Sequence, residues 1–464
     1  MWQIRKPRDE NTPEEVAERT EQDRRLMTVG DAGAFAASAV DLHTDLKVEL
    51  HQRLLGLINL SALDKMSRAQ IEEEAGGIVL EELDKQRHAL NHTERRQLVD
   101  DVLDELLGLG PLEPLLKDAT ITDILVNGAN CVFVERYGVL EPSPVRFKDE
   151  RHLIRIIQKI VSAVGRRVDE SSPMVDARLA DGSRVNAVVP PLALDGALLS
   201  IRKFAKTPIS MARLVEIGSV PAQVSEVMKA VVSARLNVLI SGGTGSGKTT
   251  MLNAMSAFID NRERIVTIED SAELQMQQEH VARLETRPAN IEGKGEIAQR
   301  DLVKNALRMR PDRIIVGEVR SGEAFDMLQA MNTGHDGSMT TVHANNPRDA
   351  LSRVEQMVGM SGIDIPARSA RAQIASAIHV VIQVARLSDG RRKLISLAEL
   401  SGMEGDVITM QEIFRYRQTG ISTDGMVQGR FEATGIRPRF LEQVMAHGVS
   451  LSPDLFRPDR NFEA

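Results

Sequence analysis

A single cysteine, Cys131, in 464 residues leaves no disulfide framework and no four-cysteine zinc site, and it fits a reducing compartment. Aromatic side chains make up 3% of the chain, with one Trp and two Tyr, so a platform for stacking nucleic-acid bases is poorly supplied. No run reaches the roughly 18 uninterrupted apolar residues of a membrane-spanning helix, and residues 1–8 carry no apolar signal core. Any membrane role is therefore expected to be peripheral, and the chain cytoplasmic. An excess of positive charge is missing too. The net charge of −8 runs against the basic balance of nucleic-acid binders, so no nucleic-acid partner is expected. What remains, 42% hydrophobic and 27% charged residues, is the composition of a globular protein too long for one core, and two or three domains are expected.

Residues 1–35 are polar and of mixed charge, with Pro7 and Pro13, and read as a disordered tail. From 36 to 107 apolar residues recur at helical spacing, among them Leu46, Leu50, Leu54, Ile71, Ile78, Leu80, Leu83, Leu98, Val102 and Leu106, which predicts a small helical module. Gly108-Leu109-Gly110-Pro111 ends it. Short strands are predicted at 123–128, 132–138, 176–189 (a hairpin with an Asp181-Gly182 turn) and 198–204, and a helix at 152–164. This pattern reads as an α+β domain over 108–206. The Pro- and Gly-bearing stretch 207–220 reads as a linker. From 221 to 464 short β-branched runs alternate with helical stretches (236–241, 264–268, 313–316, 338–342), which predicts an α/β domain with a mostly parallel sheet. Further strands follow residue 377, with a turn at Asp389-Gly390.

Residues 242–249 read Gly-Gly-Thr-Gly-Ser-Gly-Lys-Thr, a complete phosphate loop between an apolar run of strand length and a helix-compatible segment. Its glycines let the backbone curl so that N–H groups and a helix N-terminus face an anion. Gly243, Thr244, Gly245, Ser246, Gly247, Lys248, Thr249 and Thr250 are the candidate nucleotide-binding residues. Lys248 would reach the β- and γ-phosphates, and the Thr249 hydroxyl would hold Mg²⁺. The chain is thus expected to bind ATP with Mg²⁺.

Hydrolysis needs an acid near the metal, a carboxylate to orient water and cations for the developing charge. Glu318 follows the run Arg313-Ile314-Ile315-Val316-Gly317 and is the candidate acid beside Mg²⁺. Thr267-Ile268-Glu269-Asp270-Ser271-Ala272-Glu273 ends a predicted strand with three acids, of which Glu273 is the candidate for positioning the attacking water. His335 and His343 bracket a predicted strand; hydrogen bonding to a γ-phosphate and plain structural use both fit them. Arginines are plentiful, and position along the chain selects poorly among them.

Taken together these residues resemble the secretion and pilus motor ATPases of bacterial type II and type IV systems. The phosphate loop, the acidic box at 267–273, the segment Met309-Arg310-Pro311-Asp312-Arg313-Ile314-Ile315-Val316-Gly317-Glu318 and the His box from Gly334 to His343 occur in that family's order. Arg184-Val185-Asn186-Ala187 and Ser200-Ile201-Arg202-Lys203-Phe204 are similar to segments of its N-terminal domain. With the helical stretch 36–107, the nearest subgroup is the CpaF-like motors of tight-adherence (Tad/Flp) pili. The resemblance implies a RecA-like ATPase domain behind a PAS-like α+β domain and an N-terminal helical module. It implies Glu273 as catalytic base, Glu318 as the metal-side acid, His343 as γ-phosphate sensor, and Arg310, Arg184 and Arg202 as arginines serving the nucleotide. It also implies a homohexamer docked on pilus platform proteins of the inner membrane and driving pilus assembly, retraction or both. A nucleic-acid translocase of the same phosphate-loop class is the alternative.

Overall fold

The computed structural model describes residues 68–86, 90–204, 207–289, 293–458 and 460–462, together with Leu46, Leu50, Arg53 and Leu54. The expected tail at 1–35 and most of 36–67 lie outside the described residues. The chain divides into two compact units, the first built mainly from residues up to Ile201 and the second mainly from Arg202 onward.

In the first unit, helices Arg68–Gln86 and His92–Leu107 share a small core with Leu46, Leu50 and Leu54. The inner face of the first helix is Ile71, Ala75, Val79 and Leu83, an unbroken i, i+4 row, whereas Leu80 faces solvent. Apolar spacing alone puts Leu80 rather than Val79 among the core candidates, because one helical step of 100° separates neighbours that are equally apolar in the sequence. Asn91 and Glu94 close a capping box on the second helix. Glu105 of that helix and His152 form a buried hydrogen-bonded pair.

Next comes a six-stranded sheet of β1 (Ile121–Asn127), β2 (Val132–Arg136), β3 (Val139–Pro142), β4 (Met174–Arg178), β5 (Arg184–Val188) and β6 (Leu198–Arg202), in the order β3-β2-β1-β6-β5-β4. Helix Glu150–Ala163, started by the Asp149 side chain, buries Leu153, Ile156, Ile157, Ile160 and Val161. Each such side chain contributes about 1.5–3 kcal/mol by leaving water.

The second unit takes in the stretch read as a linker, where a helix, Met211–Glu216, buries Met211 and Leu214 in the main core. Its sheet has ten strands: β7 (Val238–Gly242), β8 (Ile265–Glu269), β9 (Val281–Glu285), β10 (Arg313–Val316), β11 (Met339–His343), β12 (Val380–Arg386), β13 (Arg392–Glu404), β14 (Val407–Ile421), β15 (Val427–Ala433) and β16 (Asn461–Phe462). The order is β16-β15-β14-β13-β12-β7-β11-β10-β8-β9. Pairings from β12 across to β9 are all parallel, and those from β12 to β16 are antiparallel. The parallel half carries helices on both faces, so its strands are apolar throughout; β7, β8 and β10 are buried at every position. Alternate residues serve opposite layers: Val238 and Ile240 enter one core, Leu239 and Val342 the other. Arg313, 1% exposed, is tolerated inside this sheet because Glu263 holds it with two charge-assisted bonds of 2.7 and 2.8 Å.

Candidate functional site

Parallel strands present their carboxyl ends to one edge, where an open α/β sheet forms its sites. Strand β7 ends at Gly242 and the chain turns at once through the phosphate loop into helix Lys248–Ser256. Gly245 (φ +67°) and Gly247 (φ +94°) take the left-handed conformations that turn requires. Gly247 gives that helix no side-chain cap, so its leading N–H groups remain available to an anion. Gly242 is there for space: a Cβ would lie 2.4 Å from Ser246 Oγ and 2.5 Å from the Val384 carbonyl oxygen. Gly242→Ala is expected to cost about 1–3 kcal/mol of stability. A lower urea midpoint at unchanged m-value would show it, and an unchanged midpoint would refute it.

The Lys248 ammonium donates to the carbonyls of Gly242 and Gly243, both at 3.1 Å. Burial pushes it below the usual lysine range, while Glu318 pulls it back up. Ser246 Oγ closes the loop on Gly243 O at 2.8 Å, and Arg392 Nε reaches Gly245 O at 2.8 Å. Thr249 and Thr250, both partly buried, lie in the first helical turn; Gly243 is partly buried, and Thr244 stands exposed. A cavity of about 290 Å³ opens beside the loop, lined in part by Gly247, Thr250, Met251, Asp389 and Lys393.

The neighbouring strands bring the other candidates to the same edge. His343 ends β11 in register with Gly242. Burial, then the Lys248 charge, hold its imidazole below the ordinary histidine value, which favours the neutral ring. Glu318 lies two residues beyond β10. Its carboxylate accepts from Arg320 at 2.6 and 3.1 Å, and the same guanidinium reaches Asp270 at 3.2 Å. Glu273 follows β8 on a loop tied to the phosphate-loop helix by Gln275 N–H donating to Asn253 Oδ1 at 3.0 Å. Lys248, Glu318, His343 and Glu273 thus gather around one loop.

Two candidates stand elsewhere. Arg310 precedes β10, at the amino edge of the sheet, exposed and with φ +55°; the four residues of β10 alone put about 13 Å between that edge and Glu318. The chain's own phosphate loop therefore does not receive Arg310. His335 is likewise at the amino end of β11, bonded to Ala330 O at 3.2 Å, so one strand separates the two histidines. Arg184 begins β5 and Arg202 ends β6; Phe204 N–H donating to Ser183 Oγ at 3.1 Å sets them at one end of the six-stranded sheet.

Several residues here escaped the sequence reading. Arg320, which grips both Glu318 and Asp270, was one arginine among many. Gln383 Nε2 and Ser241 Oγ both donate to the carbonyl of Ala344, next to His343, at 3.3 and 3.5 Å. Such roles rest on cross-strand register, and no local pattern announces them.

A left-handed glycine loop between a buried parallel strand and an uncapped helix, flanked by acids at neighbouring strand ends, defines a phosphate-loop nucleotide-binding domain. The chain belongs to the Type II/IV secretion system protein family, whose model matches residues 105–436. It is 43% identical over 309 residues to Mycobacterium tuberculosis Rv3659c, whose name places it in conjugal transfer, covering 65% of this chain and 87% of that protein. It is 30% identical over 332 residues to the type IV secretion system protein VirB11 of Bartonella quintana, covering 63% of this chain and 92% of that one. Among solved structures, the VirB11 ATPase of the Brucella suis type IV secretion system, in complex with sulphate, matches at 27% identity and a TM-score of 0.34, over 62% of this chain and 92% of that one.

Proposed function

We propose that this chain is the ATP-hydrolysing subunit of a hexameric motor that powers a Tad or type IV-like pilus, or a related secretion system, from the cytoplasmic face of the inner membrane. The observation that carries the reading is the gathering of Lys248, Glu318, His343 and the Glu273 loop at one sheet edge around an open phosphate loop. Family membership gives the setting. Lys248 and the loop amides bind the β- and γ-phosphates, neutral His343 donates a hydrogen bond to the γ-phosphate, and Glu273 orients and deprotonates the attacking water.

Among the described residues no group of three or more His, Cys, Asp and Glu could form a protein-only metal cage. One hydroxyl (Thr249) and one carboxylate (Glu318) instead suit Mg²⁺, which keeps waters and takes phosphate oxygens as its other ligands. Bound there, the ion would neutralise charge developing on the phosphates. Arg310, set apart from its own chain's loop, would serve the loop of a neighbouring subunit; Arg184 and Arg202 would serve the bound nucleotide as further cations. Membrane attachment would be peripheral, through platform proteins; among the described residues no helix is long and apolar enough to cross a bilayer.

The test is steady-state ATPase activity across protein concentration, with light scattering for mass and Glu273→Gln as control. Turnover that rises with assembly to a six-subunit mass supports the motor; full activity as a monomer sinks it. A nucleic-acid translocase is the second reading, favoured by the conjugal-transfer name of the 43% identical relative. DNA-stimulated turnover would support it, and the net charge of −8 weighs against it.

A further inference from the structure

Glu269 closes strand β8 with only 3% of its surface exposed, an unusual place for a carboxyl. Its Oε2 accepts two backbone bonds, from Glu273 N–H at 2.7 Å and Leu274 N–H at 2.8 Å. Its stem lies against Gly317, the residue before Glu318; a Cβ on Gly317 would come within 3.0 Å of Glu269 Cγ. Gly317 N–H in turn donates to Ile268 O at 2.8 Å, next to Glu269 in the chain. One buried side chain therefore touches both acid-bearing segments of the site.

We propose that Glu269 is a positioning residue: as a hydrogen-bond acceptor, not as a charge, it sets the Glu273 loop at a fixed spacing from Glu318 and the phosphate loop. The inference rests on the reading of Glu273 as the group that orients water. The far side of the same loop is pinned to the phosphate-loop helix through Gln275 N–H on Asn253 Oδ1 at 3.0 Å and Gln278 Nε2 on Ser256 O at 2.7 Å. Arg283 adds a bond to Leu274 O at 3.1 Å. Residues 273–278 are thus held from both sides, and Glu269 is the anchor nearest Glu273. Its other oxygen, Oε1, is buried with no hydrogen-bond partner among the described residues, a costly state for an ionised carboxylate and a milder one for a neutral acid. Burial raises this carboxyl to about 7, against the pull of the two amides and of Arg283; Glu273 is the acid facing it. The two amide bonds need only an acceptor oxygen, which a neutral acid or a glutamine supplies equally well.

The experiment compares Glu269→Gln and Glu269→Met in the full chain, measuring kcat, KM for ATP and affinity for a fluorescent ADP analogue. Methionine fills similar volume and offers the two amides only a weakly accepting thioether sulfur. Glu269→Met is expected to lower kcat by roughly 10- to 100-fold while ADP affinity stays within about threefold, because misplacing a catalytic group acts on the transition state. Glu269→Gln is expected to keep kcat within about threefold of the parent. If Glu269→Met loses its folded circular-dichroism signal, Glu269→Asp, too short to reach both amides, takes its place with the same expectation. Three results would overturn the proposal: parental kcat without the acceptor, a glutamine variant as slow as the methionine one, or ADP affinity falling in step with kcat. A parent chain that binds ADP without turning over ATP would instead bring down the motor reading, and this inference with it.

Discussion

Lys248→Ala is expected to weaken ATP and ADP binding by about 2–4 kcal/mol, or roughly 30- to 800-fold. The ammonium sits at the mouth of a loop whose other ligands are neutral amides, so it is the only full positive charge that the loop itself offers a polyphosphate. Its partial burial raises the effect, since a charge pair gains strength as water is excluded. Removing it takes one donor from the carbonyls of buried Gly242 and partly buried Gly243, a local change at the strand end that leaves both apolar cores untouched, so the fold itself should persist. The measurement is thermal stability against nucleotide concentration. A parent chain at 100 times its Kd gains about 2.7 kcal/mol from the ligand, and the variant at the same concentration should gain less than about 1 kcal/mol. An equal upward shift of melting temperature in both proteins would refute the role given to Lys248.

Glu273→Gln is expected to leave nucleotide affinity within about threefold and to lower kcat by about 10²–10⁴-fold, the range that a positioned general base supplies. The change is nearly isosteric, and the bond to Glu269 uses the backbone N–H of Glu273, so the loop keeps its anchor. What disappears is the basic oxygen that would take a proton from the attacking water. Single-turnover hydrolysis with bound ATP separates this from slow product release. A variant that turns over at the parental rate would mean that another group orients the water, and Glu318, at the neighbouring strand end, would be the next to replace.

The helical module shows one limit of reading side chains from sequence. The periodicity of residues 68–86 was visible, but its inward face runs through Ala75 and Val79 and leaves Leu80 exposed, because packing against Leu46, Leu50 and Leu54 decides which of two adjacent apolar residues turns inward. The sheet shows another. The strand–helix alternation announced the parallel half, and the Asp389-Gly390 turn announced the start of the antiparallel extension, yet β9 and β14 carry mixed, largely part-exposed side chains in which no clean pattern survives.

By itself the sequence determined the phosphate loop, because glycine conformations, a lysine and a threonine at fixed offsets are local requirements that a local string must satisfy. It determined as well the acids and histidine that end strands, since each sits at a break between an apolar run and a polar turn. Only the tertiary structure decided which of these share a place. His343 and His335 look equivalent in one box, as do Glu318 and Arg310 in one segment, but a strand only four or five residues long carries one member of each pair to the carboxyl edge and leaves the other behind. Glu269 follows the same logic: its importance lies in two amides four and five residues on and in the approach of Gly317 just past the end of the next strand, and strand order brings that strand alongside.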